Sequence, residues 1–388
     1  MDLRVRIAES VPQIVVRGFD LKIYELHQKI PKLVNFSDQV SEWEFQCQDG
    51  QIRAQALFGH RRTFKLGSAA VIQSPAGFLR VFGSPYRGEI RLHAGHFCDV
   101  INHVNLEKYL DGLVNAEFSS KWSEEAVAAQ VVAARSYAYY QMKVSSFQPK
   151  SYFDLDATVK DQVYRGSVQE DFKSSKVVEK TRGMILSAGP VGSKAPLKAF
   201  YHSTCGGMTE LPEFVWGVRF PGMLRSVSCG FCEHSPRVSW SLDLKTREIA
   251  DSILRGIQNK GFPTEWPPTA ATVIRQGRLL EIQIHKKNAA GRVSRLTTRW
   301  TDGKKIMELP VTGVQLREWL GPQRFRSASF ALTEHKSGAG ARWFFQGRGN
   351  GHGVGMCQWG AKVMGDKGYS MAAILKHYYP DAVLSKLW

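Results

Sequence analysis

The sequence of 388 residues predicts an α+β fold, and three observations predict it. The first hundred residues run in short alternating stretches broken by Gly, Pro and Asp, which is a β-rich pattern. An alanine-rich segment then changes the period to that of a helix, and the remainder mixes helix-like and strand-like segments with no internal repeat. The expected organisation is a β-rich N-terminal region over residues 1–100 and a mixed α/β core over 101–388, with a β-rich insertion at about 240–340.

Taken in order, "MDLRVRIAES" alternates Leu3, Val5 and Ile7 as a strand does, and "QIVVRGF", "QIRAQALF", "FLRVFG" and "GEIRLHAG" continue the pattern. "WSEEAVAAQVVAARSYAYYQM" is the central helix: Ser123 can cap it, Glu124 and Glu125 suit its first turn, and Trp122 can staple onto Val127. Its alanines run round every face, which predicts a buried helix that neighbours approach closely. A second helix covers "QEDFKSSKVVEKTR" and stops at Gly183, after which "MILS" and "PLKAFYHS" read as paired strands across a Gly/Pro loop. A helix at "LKTREIADSILRGIQNKG" precedes strand-like "ATVIRQ", "LLEIQIH" and "RLTTRWTDGKKIMEL", the last turning at Asp302-Gly303. A short helix at "VQLREWL", further strands to "RWFFQ" and a helix at "SMAAILKHYY" complete the chain.

Composition bounds the function. With 52 Lys plus Arg against 35 Asp plus Glu the net charge is +17, which favours polyanionic partners or simply a solvated basic surface. The basic residues are scattered, densest at "HKKNAAGRVSR" and "RFRSASF", and no nucleic-acid module is recognisable, so no nucleic-acid partner is expected. No run of eighteen apolar residues exists to span a membrane as a helix, and the start lacks the hydrophobic region of a secretion signal.

Three constellations could carry chemistry. "GRGNGHGVGMCQWGA" (347–361) fits neither the dinucleotide fingerprint nor a phosphate loop, because its glycines alternate and no Gly-Lys-Ser/Thr follows. It reads as a backbone turn needing unusual φ or close approach, packing Val354 and Trp359, with His352 open to a ligand. Next, His202-x2-Cys205 and Cys229-x2-Cys232 are spaced as tetrahedral zinc requires, with His234 as a spare ligand. The alternatives are a Cys205–Cys229 disulfide or a redox Cys229/Cys232 pair. Third, Glu117 lies among Val114, Ala116, Phe118 and Trp122, a setting that can desolvate a carboxyl and raise its pKa toward that of a general acid. Arg135, if buried in the central helix, needs a carboxylate or an anionic substrate as partner.

Five segments, "YLDGLVNAEFSSKWSEEAVAAQVVAARSYA", "DQVYRG", "TRGMIL", "AFYHSTCGGMTE…VWG" and "GNGHGVGMCQWGAKVMGDKGYSMAAILKHYYP", together resemble the stage II sporulation protein D family, also called the amidase-enhancer family. They occur in the family's order over about residues 100–388. The resemblance implies a peptidoglycan lytic transglycosylase that cuts glycan strands stripped of stem peptides, with Glu117 at the family's catalytic acid. Arg135, Gln162, Tyr164, Tyr201, His352 and Gln358 are then candidate substrate-binding residues. Metal-holding members place zinc at the position of His202 and Cys205; others have Ser at Cys205, and Ser is also common at Cys357.

Such an enzyme manages with one carboxylate. The acid protonates the glycosidic oxygen, and its anion deprotonates the C6 hydroxyl that closes a 1,6-anhydro ring. The competing expectation is a noncatalytic cell-wall binder that activates a separate amidase. Either reading puts the protein in the cell envelope, periplasmic or extracytoplasmic, and a leader that is removed or not part of this sequence is expected.

Overall fold

Alternation of apolar and polar side chains carries the first hundred residues into twelve strands: β1 (Asp2–Val11), β2 (Gln13–Phe19), β3 (Lys22–His27), β4 (Ile30–Phe36), β5 (Val40–Gln48), β6 (Gln51–Ala56), β7 (Thr63–Leu66), β8 (Ala69–Gln73), β9 (Phe78–Val81), β10 (Ser84–Arg87), β11 (Glu89–Ala94) and β12 (Cys98–Asn105). The computed structural model describes residues 1–388 apart from 28–29, 37–38, 59–61, 149–150, 190–194, 262 and 338–339. The chain divides into two compact units, Met1–Lys198 with Val383–Trp388, and Ala199–Ala382. The fold is α+β, with a β-rich N-terminus.

In the first unit one sheet has the order β10-β9-β2-β5-β6-β7. The other runs β13-β1-β12-β11-β8-β3-β4, its edge supplied by β13 (Leu155–Asp156) lying parallel to β1. Alternate side chains are buried along the inner strands: Ile14, Val16, Phe45, Ile52 and Ala54 from the first sheet, Leu3, Val5, Ile23, Ile90, Leu92 and Val100 from the second. A disulfide between Cys47 on β5 and Cys98 on β12 ties the two sheets together. Sequence spacing singles out only Cys205, Cys229 and Cys232, because Cys47 and Cys98 sit alone in strand patterns.

Three helices follow: α1 (Leu106–Glu117), α2 (Glu124–Ser146) and α3 (Phe172–Lys180). The sequence reading had no helix at α1. Its apolar face, Leu106, Tyr109, Leu110, Leu113 and Val114, has helical spacing, and the Asn105 side chain accepts from the Glu107 N–H. Gly112 disguises it by lowering helix propensity, and the structure gives the reason for that glycine: a Cβ there would lie 2.2 Å from the Gly166 carbonyl oxygen. Helix α2 is capped by Ser123 as expected and is buried from Ala126 through Tyr139. Trp122 packs edge-on against Phe118, with ring centroids 4.3 Å apart.

Strand β14 (Met184–Ser187) corrects the expected hairpin. Its antiparallel partner is the C-terminal strand Val383–Lys386, and "PLKAFYHS" contributes only a bridge from Pro196 to Ser187. A local pairing was the natural reading of two adjacent apolar runs, but the partner comes from the other end of the chain. Residues 190–194 of the Gly/Pro loop lie outside the described residues.

The second unit begins at β15 (Tyr201–His202) and α4 (Pro212–Trp216). Then come β16 (Ser239–Lys245), α5 (Thr246–Lys260), α6 (Ala270–Gln276), β17 (Arg278–Lys287), β18 (Val293–Thr301), β19 (Ile306–Val311), α7 (Gly313–Leu320), β20 (Phe330–Ser337) and β21 (Gly340–Arg348). The sheets β16-β21-β20 and β17-β18-β19 share an apolar core with α5, α6 and α7, including Trp240, Ile253, Trp300, Phe325 and Phe345. "ATVIRQ", read as a strand from its β-branched residues, is α6: Ala270, Val273 and Ile274 are its buried residues, a helical period. The chain returns through β22 (Met356–Cys357), α8 (Gln358–Asp366), α9 (Met371–Tyr378) and β23 (Val383–Lys386).

The Cys47–Cys98 bridge spans 51 residues of sequence, for which loop-closure entropy gives about 4 kcal/mol. The double variant C47S/C98S is expected to unfold at lower urea concentration by that order, with amide exchange accelerated first in β5 and β12. Unchanged protection there would show the bridge to be energetically idle.

Candidate functional site

Glu117 is the last residue of α1, half-buried, with one carboxylate oxygen accepting the Val163 backbone N–H. Burial raises its pKa from 4.5 to about 7, and the Val163 hydrogen bond opposes only part of that shift. A carboxylate at a helix C-terminus also faces the negative end of the helix dipole, which acts in the same direction. The group is therefore poised to hold or release a proton near neutrality.

The segment that supplies Val163 is fixed at every residue. Asp161 accepts from Tyr137 Oη at 2.5 Å, from Gln141 at 3.1 Å and from the Asp156 N–H at 2.8 Å. Gln162 accepts from Tyr109 Oη at 2.9 Å and donates to the Ala134 carbonyl at 3.2 Å. Tyr164 donates to Asn102 Oδ1 at 3.0 Å, and its ring lies 4.7 Å from that of Tyr109. On the other side, Asn115 and Ser120 both bind Asp171, at 2.8 and 2.6 Å, which holds the loop after Glu117 against the start of α3.

These contacts place three of the expected substrate-binding residues inside the protein. Gln162 is 0% exposed and Tyr164 4%, and their described bonds go to other protein groups, so they form the support beneath Val163. Arg135 is also 0% exposed, and its partner is a carboxylate of the protein itself. Its guanidinium makes a two-pronged bond to Glu107 at 3.0 and 2.7 Å and donates to the Met184 and Val178 carbonyls at 3.1 and 3.3 Å. The sequence reading did not find Tyr137, Asp161 and Lys198. The half-buried Lys198 ammonium lies 5.3 Å from the Tyr137 ring centroid and 5.6 Å from that of Tyr140, and burial lowers its pKa. Only the run "SYAYY" hinted at this aromatic face.

In the second unit the glycine segment is a turn, and what it approaches is the 200–206 stretch. Strand β22 pairs in parallel with β15, Tyr201 against Met356 and His202 against Cys357. At Gly355, with φ of 72°, a Cβ would sit 1.9 Å from the Phe200 carbonyl oxygen, so the pairing is closed to any other residue. His352 accepts the Val354 N–H on Nδ1 at 3.0 Å and bonds the Tyr201 backbone, which commits its polar atoms to holding the turn. Its ring packs near Trp216 and Phe200, with centroids 5.1 and 6.1 Å away. Tyr201 is half-buried, and Gln358 is buried at the start of α8.

The sulfur atoms of Cys205, Cys229, Cys232 and Cys357 all lie within 4.8 Å of one another, and all four residues are buried. Tetrahedral zinc with Zn–S bonds of about 2.3 Å needs sulfurs roughly 3.8 Å apart, so this group is close enough to hold a metal ion. Donors already point at the sulfurs: the Cys205 and Gly360 N–H groups to Cys357 at 3.3 and 3.4 Å, the Gly207 N–H to Cys205 at 3.4 Å, and Tyr378 beside Cys229 at 3.2 Å. Cys357, and not the expected His202, joins Cys205, Cys229 and Cys232 in this group. The His202 ring is turned to the Val354 carbonyl, to which Nδ1 donates at 3.1 Å, and lies 5.6 Å from the His352 ring. The parallel pairing with β22 brings Cys357 in, a contact across some 150 residues that no local spacing reveals. Neither His234 nor a Cys205–Cys229 disulfide belongs to the cluster.

Residues 94–187 match the family model described as stage II sporulation protein, and residues 232–355 match a domain of unknown function, DUF8618. The chain is 30% identical to stage II sporulation protein D of Bacillus amyloliquefaciens over 298 residues, covering 74% of this chain and 76% of that one. An uncharacterized protein of Brachyspira hyodysenteriae is 30% identical over 284 residues, 66% of its length. The amidase enhancer of Bacillus subtilis is 27% identical over 71% of this chain, though the match spans only 40% of that longer protein. A carboxyl poised near neutrality at the end of α1 thus lies inside the matched segment. The chain belongs to the stage II sporulation protein D family.

Removing the Arg135 charge separates a structural role from a substrate contact. R135M alone leaves Glu107 buried and unpaired, at an expected cost of about 3–5 kcal/mol, and E107L/R135M should recover most of it. Full stability of the single variant with loss of glycan binding would instead assign Arg135 to substrate.

Proposed function

We propose that this protein is a peptidoglycan lytic transglycosylase acting on glycan strands freed of stem peptides, with Glu117 as its single general acid and base. The observation that carries the reading is the half-buried Glu117 carboxyl with its pKa raised to about 7. Protonated, it gives its proton to the glycosidic oxygen as the C1–O bond breaks. The carboxylate left behind, held by the Val163 N–H, takes the proton of the C6 hydroxyl, and O6 bonds to C1. The acid is regenerated, no water is consumed, and no second carboxylate is required.

The setting supports this reading. Family membership and relatives named for sporulation and amidase enhancement support a role at the cell wall. The Cys47–Cys98 disulfide supports an oxidising compartment outside the cytoplasm. No described helix is long and apolar enough to cross a membrane. The four buried thiols support Zn2+ held by Cys205, Cys229, Cys232 and Cys357. Such a closed site supplies folding free energy and takes no part in the proton transfers. A second reading, a wall-binding activator of a separate amidase, has in its favour the name of the Bacillus subtilis relative.

Purified, peptide-free glycan incubated with the protein should yield 1,6-anhydro ends by mass spectrometry, and E117Q should bind glycan yet yield at least about a thousandfold less. Glycan left intact by the wild type, with an amidase accelerated instead, would favour the activator. The pH dependence has a definite sign: the acid form is needed first, so kcat/KM should fall as pH rises through about 7. The same group makes stability fall as pH rises from about 4.5 to about 7 and level off above it, since its folded pKa of about 7 lies above the ordinary 4.5. E117Q should lose this slope and be more stable than wild type at pH 8 by about 2 kcal/mol, with solvent screening at a half-buried site taken into account.

A further inference from the structure

The four cysteines are arranged around one topological feature. The DUF8618 match begins at Cys232 and ends two residues before Cys357, so two of the sulfurs stand at the entry and exit of an inserted module. Between them the chain builds its own core and comes back on itself, β16 pairing with β21 from Ser239–Arg348 through Lys245–Arg342. Cys229 precedes the entry, and Cys205 follows β15, outside the module. Apart from the pairing of β16 with β21, the neck is joined by the Gly349 N–H bond to the Val238 carbonyl at 2.7 Å.

One residue of the module reaches back to the thiols. Arg292, just before β18, is 3% exposed and donates to the carbonyls of Cys205 and Met208 at 3.1 and 3.2 Å. Its Nε is buried without a hydrogen-bond partner among the described residues. The guanidinium lies against Gly353, where a Cβ would come within 2.2 Å of it. Its charge faces Cys205, Cys232 and Cys357 together with Glu210, whose two oxygens are taken by the Leu211 N–H at 2.8 Å and Asn288 Nδ2 at 2.5 Å. Four thiolates around a divalent ion carry a net charge of minus two. Buried, that charge needs a cation and N–H donors as compensation.

We propose that the four-cysteine site is a metal clasp on the neck of the inserted module 233–356, and that Arg292, carried by the module, is its counter-charge. Metal binding and docking of the module are then a single coupled event. The inference rests on the metal reading given above and is independent of the transglycosylase reading.

The test uses the full chain as purified. Metal content and chelator competition give stoichiometry and affinity, and amide exchange is followed before and after chelation. One zinc per chain is expected, and its removal should accelerate exchange at least tenfold in the neck, residues 203–209, 229–240 and 345–358, with β1–β12 unchanged. Complete metal loss without change in the neck would overturn the clasp. R292M should weaken zinc binding by at least about tenfold, with R292K restoring part of it. Module-core exchange as in wild type confirms that both variants fold, and equal affinity in all three chains would overturn the role of Arg292. Cobalt substitution gives a readout independent of affinity: sulfur-to-cobalt charge-transfer intensity should fall in C357S and persist in H202A, and the reverse would restore His202 as the ligand. A metal-free protein with Cys205 and Cys232 joined as a disulfide would overturn both the metal reading and the clasp. The anhydro-end assay on the same preparation with E117Q reports separately on the glycan reading.

Discussion

A guanidinium with no access to water organises the helical half of the first unit. Arg135 cannot lose its charge, so folding must surround it with acceptors, and those come from four places at once. Glu107 in the first turn of α1 gives the carboxylate, Val178 and Thr181 come from α3 and its end, and Met184 opens β14. Helices α1, α2 and α3 and strand β14 are thereby held in one arrangement. With α1 fixed at its start, its last residue, Glu117, is delivered to one position. The same logic runs through Gln162, whose two ends bind α1 and α2 and hold Val163 opposite that carboxylate.

The consequence is a division of labour among polar groups. Arg135, Gln162 and Tyr164 are the residues that look most like ligands for a polar substrate, and they are the ones the protein uses on itself. A buried donor or acceptor left unpaired costs about 1–3 kcal/mol, so such groups are committed early and completely. Glu117 differs from them in being half-buried, with a backbone N–H bonded to its carboxylate and a pKa raised to about 7. His352 follows the general rule. Amid open glycines it looked available, yet its nitrogens hold the turn to Val354 and Tyr201.

The thiols illustrate how spacing can find most of a cluster and miss one of its members. Pairs at x2 spacing identified three of the four sulfurs, and the short distance between them in sequence made His202 the natural fourth. His202 and Cys357 are paired in register in parallel strands; the thiol is in the cluster, while the imidazole donates from Nδ1 to the Val354 carbonyl. A long stretch of chain separates Cys357 from its partners in sequence, and the pairing of β22 with β15 brings it back in space.

By itself the sequence determined what local patterns determine. Period-two alternation specified the β-rich start, Ser123 and the alanines specified α2, and the apolar flank of Glu117 marked a carboxyl with reason to be perturbed. These survive because each depends on residues within a few positions of one another. Tertiary structure decided the rest: that Gly112 lies inside a helix because Gly166 must come close, that "MILS" pairs with the far end of the chain, that Arg135 belongs to Glu107, and that Cys357 lies with the other three thiols. In each of these cases the deciding partner is distant in the chain, and desolvation makes the contact obligatory once the two segments are buried together.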